Sequence, residues 1–352
     1  MTAPTGASTG YRVRRLRRSA LWTALPSAGV VALLAYVPYV LERKVTDTLV
    51  DFFILLVLAT TWNMLAGFAG LVSVGQQAYI GVGAYAVLVL AQQGVNPFAA
   101  IPLAALVCAA VSLPVSWLVF RLRGGYFAIG TWVVAEVFAL LVIRFESLGG
   151  GTGANLPGLD GFDAVLLGAM TYWAALSVAV LTLLGAYLLL RSRTGLALTA
   201  VRDNELAARS VGVRVPRAKR MVYLAAAAGA GAAGAVLVIT QLNVQPGNVF
   251  SVKWSAYMVF VVLIGGVGSL EGPILGAIVF FVLQRALADY GAWYLIVLGA
   301  VAVVMAVWVR RGLWGLLERF DVRVFPTGFW LQAPGGDVAR PPRDDPPPAP
   351  RH

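Results

Sequence analysis

Long apolar runs, separated by short polar or basic stretches, fill the chain from about residue 20 to residue 309. No Asp, Glu, Lys or Arg occurs between Asp51 and Arg121, and none occurs between Arg220 and Lys253. An α-helix needs about 20 consecutive apolar residues to cross the hydrocarbon core of a bilayer. The pattern therefore predicts an all-α, polytopic membrane protein.

Charge gaps and helix-breaking residues divide these runs into about ten transmembrane or half-membrane helices. The predicted segments are 20–41, 50–65, 77–91, 98–120, 126–143, 169–190, 221–241, 255–264, 273–288 and 291–309. Segments 77–91, 255–264 and 273–288 are too short for a straight crossing, so we expect them to be broken, short or partly re-entrant. Such backbone persists at membrane depth only inside protein or beside a wet cavity, so these segments point to a solute pathway.

Composition and charge agree with this interpretation. Hydrophobic residues make up 59% of the chain and charged residues 12%, against roughly a quarter charged in a soluble domain. The net charge of +11 does not indicate nucleic acid, because the basic residues form short blocks without aromatic interleaving. Ten crossings place most of these blocks on one side, which predicts cytoplasmic N- and C-termini. The blocks are Arg12 to Arg18, Arg121 with Arg123, residues 191–220, and Arg310, Arg311, Arg319 and Arg323.

Residues suited to catalysis are missing from the apolar part of the sequence. His352 is the only histidine, Cys108 is the only cysteine, and no paired carboxylates share a helix face inside an apolar run. The apolar part therefore lacks the residues that bind a metal ion or form a catalytic triad. The sequence also contains no G-x-x-x-x-G-K-[ST] phosphate-binding loop. We predict no catalytic residue, no metal, no cofactor and no enzymatic activity, which also argues against a membrane-embedded enzyme.

Glu136 is the one clear ionisable residue inside a predicted membrane segment. A charge at mid-bilayer costs roughly 2.5–3.5 kcal/mol and needs a partner or a wet cavity. Two interpretations stay open: a carboxylate in a cavity or subunit interface, and a helix-to-helix hydrogen bond with no role in transport. An ion-coupled carrier usually needs several such groups, so we expect the driving energy to come from another subunit.

The basic loop at 191–220 predicts a compact helical platform. Asn204 can cap a short helix that has Glu205 in its first turn and Arg209 as an i+4 ion-pair partner. A second short helix precedes it at about 195–201. The platform could lie on anionic headgroups or dock a soluble partner, and the pattern leaves both open.

Residues 50–120 and 255–309 resemble a weak internal repeat, because each has a helix, a Gly-rich turn and two further helices. Small residues would let neighbouring helices pack closely. The candidates are Gly67, Gly70, Gly75, Gly81 and Gly83.

Four stretches share their residue order with a known family. They are 62–85 (WNMLAGFAGLVSVGQQAYIGVGAY), 125–131 (GYFAIGT) followed by Glu136, 194–212 (TGLALTAVRDNELAARSVG) and 265–276 (GGVGSLEGPILG). In this order and spacing they resemble the permease subunits of branched-chain amino acid ABC importers, specifically the LivM-like member of the permease pair. The resemblance covers about residues 48–310.

The resemblance implies a permease of the branched-chain amino acid, ribose and vitamin-B12-like (type II) architecture in a bacterial cytoplasmic membrane. The implied partners are a second permease in a heterodimer, two ATP-binding subunits at the inner face and an extracytoplasmic solute-binding protein. The candidate ATPase-coupling residues are Gly195, Arg202, Asp203, Asn204, Glu205, Ala208 and Gly212. The candidate substrate-pathway residues are Asn63, Gly67, Gly70, Ser73, Gln76 and Glu136. A structural turn is expected at Gly265, Gly266, Gly268, Glu271, Gly272 and Pro273.

The resemblance predicts uptake of branched-chain amino acids by alternating access. Gln76 and Gln77 stand where relatives often carry a histidine and an alanine, which puts the ligand in doubt more than the mechanism. A permease for urea or short-chain amides is therefore an alternative. An ion-coupled secondary transporter or channel is the alternative from another class.

The predicted organisation has three parts. A basic cytoplasmic segment at 1–19 precedes a transmembrane permease domain at 20–310, whose coupling loop is 191–220. A cytoplasmic tail follows at 311–352, and from Gln332 it is too rich in proline and charge to bury a core. We expect this tail to be disordered and dispensable for transport.

Overall fold

Helices make up most of the computed structural model, which describes residues 12–14, 19–159, 161–287, 293–309, 312–317 and 330–332. The helices are α1 (Ser19–Val40), α2 (Arg43–Ala69), α3 (Gln77–Gln92), α4 (Pro97–Val119), α5 (Gly125–Ile143), α6 (Ala164–Arg191), α7 (Arg193–Asp203), α8 (Glu205–Ser210), α9 (Val215–Gln241), α10 (Pro246–Val249), α11 (Val252–Gly265), α12 (Gly272–Ala286), α13 (Trp293–Trp308) and α14 (Gly312–Leu317). Two antiparallel pairs join β1 (Arg12–Arg14) to β4 (Trp330–Gln332) and β2 (Ala154–Asn155) to β3 (Asn243–Val244).

Six helical stretches among the described residues are long and apolar enough to cross a membrane. They are α2, α4, α5, α6, α9 and the stretch Pro246–Gly265. Shorter apolar helices accompany them, namely Pro26–Val40 within α1, α3 and α12. Large apolar side chains such as Leu106, Leu181 and Val282 remain exposed on the outside, as expected of a surface that lipid covers. These observations confirm the prediction of an all-α polytopic membrane protein.

Each of the ten predicted segments overlaps a helix. The short lengths predicted for 77–91 and 273–288 are confirmed, because α3 has 16 residues and α12 has 15. The short crossing predicted at 255–264 is also confirmed, because α11 has 14 residues and a break at Phe250 and Ser251 separates it from α10 within the apolar stretch Pro246–Gly265. Lys253 interrupts the apolar pattern there, but its ammonium lies 5.9 Å from the ring centre of Trp254 and is accommodated by that contact.

The most buried helices, α2 and α9, form the centre of the bundle. Alanine and glycine dominate the middle of α9, so α3 and α4 approach it closely. A Cβ on Gly83 of α3 would overlap the Gly231 carbonyl of α9. Cys108 of α4 is fully buried and packs against Gly231, while its thiol donates to the Tyr79 carbonyl at 3.4 Å. The close packing predicted for Gly83 is therefore confirmed.

The two ends of the bundle differ. The β2–β3 pair lies at one end and joins the connection that follows α5 to the one that follows α9. Helices α7 and α8, which we name the platform, lie at the other end, beside the last turn of α2. We refer to this as the platform end.

The ordered chain extends past the predicted start of the tail. Helix α14 contacts α11 and α12, Trp314 is buried, and Gly312 lies so close to Gly266 that a Cβ would overlap it. The sequence of α14, GLWGLL, has apolar side chains to bury. The prediction that the chain lacks structure from residue 311 is therefore wrong for this helix. The predictions for residues 1–11, 15–18, 288–292, 310–311, 318–329 and 333–352 lie outside the described residues.

Candidate functional site

Candidates for the substrate pathway, for ATPase coupling and for the structural turn meet at the platform end of α2. Asn63 is buried, and its Oδ1 accepts a hydrogen bond from the Gly268 N–H at 2.9 Å while its Nδ2 donates to the Ser269 carbonyl at 2.7 Å. Arg202 of α7 donates from Nη1 to the Gly67 carbonyl of α2 at 2.8 Å. We name Asn63, Gly67, Arg202, Gly268 and Ser269 the Asn63 junction. It joins α2, the platform and the turn between α11 and α12.

Glycine is required at this junction for space and for backbone conformation. A Cβ on Gly67 would overlap Asn63 and lie 2.6 Å from the Gly268 nitrogen. Gly70 ends α2 at φ 67°, where its own Cβ position would be 3.6 Å from Cγ of Arg202. The structure thus places Asn63, Gly67 and Gly70 at a packed contact between helices, and a role in lining the pathway stays a prediction.

Each platform helix begins at a side-chain cap. The Ser192 hydroxyl accepts from the Thr194 N–H at 3.1 Å, and Asn204 Oδ1 accepts from the Ala207 N–H at 3.0 Å. The predicted Asn204 cap is therefore confirmed. A Cβ on Gly195 would overlap the Leu190 carbonyl, so this glycine lets α7 fold back against the end of α6.

Glu205 ties the platform to α9. Its carboxylate accepts from Arg209 Nη2 at 2.6 Å, as predicted, and from Lys219 Nζ of α9 at 2.6 Å. The hydrogen bond from Lys219 is the main reason that the pKa of Glu205 lies below its usual value; partial burial opposes this shift and Arg209 adds to it. The carboxylate is therefore ionised at neutral pH and holds both cations.

The remaining candidates for ATPase coupling differ in burial: Ala208 is buried, whereas Gly212 and Asp203 are exposed. Ala208 is buried in a small apolar cluster with Val201 and Val215, and Gly212 turns the chain at φ 87° after α8. The Asp203 side chain is 68% exposed and accepts from Arg202 Nε at 3.1 Å. Asp203 therefore lies on the surface that a partner could reach.

The chain between α2 and α3, residues 71–76, is not helical, and side chains of the surrounding helices bond to part of its backbone. Trp62 Nε1 donates to the Ser73 carbonyl at 2.8 Å, the Val74 N–H donates to the Thr131 hydroxyl at 3.2 Å, and the Ser255 hydroxyl contacts the Val74 carbonyl at 3.1 Å. Helix α5 passes so close that a Cβ on Gly75 would overlap Thr131. We name residues 71–76 the broken segment.

Two buried glutamines lie at the end of the broken segment and the start of α3. Gln77 Oε1 accepts a hydrogen bond from the Ser255 hydroxyl, whereas Gln77 Nε2 and both polar atoms of the Gln76 side chain have no hydrogen-bond partner among the described residues. The hydroxyl of Ser73, also buried, accepts from the Gly75 N–H at 3.3 Å. Leaving a buried amide unpaired costs roughly 1–3 kcal/mol, so the Gln76 side chain calls for a water molecule or a solute.

Glu136 does not join these groups. It is exposed on α5, and Trp132 Nε1, one turn earlier on the same helix, donates to its Oε1 at 3.0 Å. A helix-to-helix hydrogen bond, one of the two interpretations, is not formed within the described chain. Because a carboxylate facing lipid would be costly, its position fits a cavity or a subunit interface.

The predicted turn connects α11 to α12. Gly266 and Gly268 adopt φ values of 131° and 81°, and a Cβ on Gly265 would overlap the Gly272 carbonyl. The Ser269 hydroxyl accepts from the Gly272 N–H at 3.0 Å. Pro273 opens α12 and the largely buried Glu271 precedes it.

Three neighbours of the site were not predicted from the sequence, namely Ser255, Trp62 and Lys219. Ser255 is a small polar residue inside an apolar run, a signal that could have found it, whereas the apolar pattern around Trp62 does not single it out. Lys219 is separated from Glu205 by 14 residues, so helical spacing could not connect them.

The fold and this site define a polytopic α-helical membrane subunit with a structured platform at one end, and the described residues hold no group of three or more His, Cys, Asp or Glu suited to a metal ion. A family profile described as "Branched-chain amino acid transport system / permease component" matches residues 45–306. The LivM permease protein of the high-affinity branched-chain amino acid transport system of Escherichia coli (strain K12) is 30% identical over 306 residues, covering 78% of this chain and 71% of that protein. The LivM protein of Salmonella typhimurium is 29% identical over the same coverage, and a probable LivM protein of Methanocaldococcus jannaschii is 24% identical over 61% of this chain and 62% of its own. No solved structure matches the chain.

The chain belongs to this family of permease components of branched-chain amino acid transport systems. It is a permease subunit of an ABC importer, and the resemblance seen in the sequence is confirmed. The relatives do not favour the urea or amide permease or the ion-coupled carrier.

Proposed function

We propose that this subunit forms one wall of a path for branched-chain amino acids, and that ATPase subunits bound to the platform open and close that path by alternating access. The Asn63 junction carries the proposal. Arg202 links the platform to the end of α2, from which the broken segment starts directly, so a displaced platform would pull on the irregular backbone of the path. Gln76, whose buried amide has no partner among the described residues, is the polar group that faces solute in this proposal.

The surface of the platform supports a protein partner. Leu206 and Val211 are each 78% exposed and Leu196 is 56% exposed, although all three belong to a basic, otherwise polar segment. Exposed apolar side chains beside a charged residue such as Asp203 are typical of a protein-binding surface. In this proposal the platform end is cytoplasmic and the β2–β3 end faces the solute-binding protein. The second permease covers the exposed face of α5 that carries Glu136.

Reconstitution tests the transport proposal. Liposomes that contain this subunit, its partner permease and two ATPase subunits should take up leucine when ATP and the binding protein are supplied. Liposomes with this subunit alone should take up none. Uptake by the isolated chain, or uptake of urea in preference to leucine by the complete assembly, would contradict the proposal.

Charge reversal tests the docking surface. Replacing Asp203→Lys and Glu205→Lys should abolish most ATPase binding to the purified permease pair, because both positions turn from acidic to basic. Glu42→Lys with Glu146→Lys is the matched control, since both of these exposed residues lie away from the platform. ATPase binding and uptake unchanged by the Asp203 and Glu205 replacements would remove the docking role.

A further inference from the structure

A basic pocket opens between α8 and the first turns of α9, apart from the Asn63 junction. It has a volume of about 640 Å³, and four guanidinium groups line it. They belong to Arg209, Arg214, Arg217 and Arg220, with Val213 and Pro216 among the other lining residues. We name it the arginine pocket.

Positive charge in the pocket is only partly compensated. Arg209 shares the Glu205 carboxylate with Lys219, and among the described residues no carboxylate lies within 4.0 Å of the other three arginines. Nε of Arg220 is buried without a hydrogen-bond partner. Backbone donors add nothing, because the N–H groups of Arg217 and Ala218 already bond to the Arg214 carbonyl. The pocket therefore offers guanidinium donors to an anion that the described part of the chain does not supply.

The pocket lies at the level of an aromatic side chain typical of a membrane surface. The guanidinium carbon of Arg220 is 5.6 Å from the ring centre of Trp117, which is 64% exposed in the last turn of α4. Tryptophan concentrates where headgroups meet hydrocarbon. Leu118, next to Trp117 in α4, and Met221, next to Arg220 in α9, are also exposed, so both helices carry apolar surface beside these two residues.

We propose that the arginine pocket binds the phosphate of an anionic phospholipid, with the acyl chains against this apolar surface. Guanidinium groups bind phosphate through paired N–H donors, which suits an oxyanion better than a zwitterionic headgroup whose own ammonium would meet the arginines. A bound lipid would offset part of the positive charge of the pocket and brace α8 against α9, beside the Glu205 contact with Lys219.

Native mass spectrometry of the full-length chain in detergent tests this proposal, with phosphatidylglycerol and phosphatidylcholine of identical acyl chains as probes. Wild-type protein should prefer phosphatidylglycerol. Arg217→Gln with Arg220→Gln should weaken phosphatidylglycerol binding about thirtyfold, since each basic side chain contributes roughly fivefold near an anionic headgroup, and should leave phosphatidylcholine binding unchanged. The matched control, Arg123→Gln with Arg193→Gln, removes two exposed arginines outside the pocket and should behave as wild type.

Further arms distinguish the source of the phosphate and guard against misfolding. The variant Arg217→Lys with Arg220→Lys keeps the charge and should retain the preference for phosphatidylglycerol. Salt at 0.5 M should weaken lipid binding to the wild type, as expected near a charged surface. The proposal is overturned if the glutamine variant binds phosphatidylglycerol like wild type, or if salt has no effect. It is also overturned if millimolar inorganic phosphate displaces the lipid, which would make the pocket a phosphate site. Loss of ATPase binding alone in the glutamine variant would overturn it too, because the pocket would then be a protein contact.

Discussion

At the scale of single residues, Asn63 holds α2 to the turn between α11 and α12 through one amide group. Replacing Asn63→Ala leaves the half-buried Gly268 N–H and Ser269 carbonyl without their partner, and an unpaired polar group costs roughly 1–3 kcal/mol when buried. We expect a loss of about 2–4 kcal/mol, seen as a lower melting temperature in detergent by fluorescence-detected size-exclusion chromatography.

Two further variants sharpen the Asn63 prediction. Asn63→Asp has nearly the same shape but loses the donor to Ser269, so it should also destabilise the protein. Asn243→Ala removes an exposed side-chain hydrogen bond to Asn155 and should change stability by less than about 0.5 kcal/mol. If Asn63→Ala melts no earlier than this control, the junction does not stabilise the fold.

The sequence predicted Asn63 as important but not its partners. Its amide bonds to residues 205 and 206 positions away, a distance that no local pattern spans. By contrast, the Asn204 cap and the pairing of Glu205 with Arg209 depend on residues within four positions and were predicted correctly. Hydrogen bonds and ion pairs could be predicted where the two residues are close in the sequence. The contacts of the Asn63 junction could not, because they depend on tertiary packing.

At the scale of elements, the crossing of α3 and α9 depends on glycine. Replacing Gly83→Ala puts a methyl group into the Gly231 backbone, which can give way only if the two helices separate. Overpacking of this kind costs about 1–3 kcal/mol, so we expect a lower melting temperature and weaker uptake. Gly185→Ala is the matched control, because this glycine of α6 has no heavy atom within 4 Å of its Cβ position.

The control variant Gly185→Ala should be more stable than the wild type. Alanine stabilises an unhindered helix position by up to about 1 kcal/mol relative to glycine. Equal melting temperatures for Gly83→Ala and Gly185→Ala would mean that the crossing tolerates a side chain and that close approach is not what this glycine provides.

Most elements could be predicted from charge gaps and apolar runs, because in a membrane each spanning helix has to be apolar over its own length. The helix predicted at 255–264 starts three residues earlier in the structure, at Val252, because Lys253 resembled a boundary. Helix α14 was missed because its 6 residues are fewer than any membrane segment needs, and only contact with α11 and α12 explains its helical form.

At the scale of the whole molecule, α5 is the least covered spanning helix of the described chain. Its outer face is mostly apolar, but Glu136 lies on it with Trp132 as its only hydrogen-bond partner among the described residues. A face without charged residues, such as that of α6 around Leu181, suits lipid, whereas a carboxylate needs polar partners. Individual burial could not be predicted from the sequence, since α5 and the central α9 are both strongly apolar and differ mainly in what packs against them.

This contrast gives a test of how the subunit sits in its assembly. Replacing Val137, on the same exposed side of α5, by the photocrosslinking residue benzoylphenylalanine should give a covalent product with the second permease after illumination of the reconstituted transporter. The same residue in place of Leu181 on α6 should give crosslinks to lipid alone. Because both positions are apolar and exposed in the isolated subunit, the difference isolates subunit contact from mere accessibility. A permease crosslink at Leu181 with none at Val137 would mean that α5 faces lipid, and Glu136 would then need a water-filled cavity instead of the second subunit.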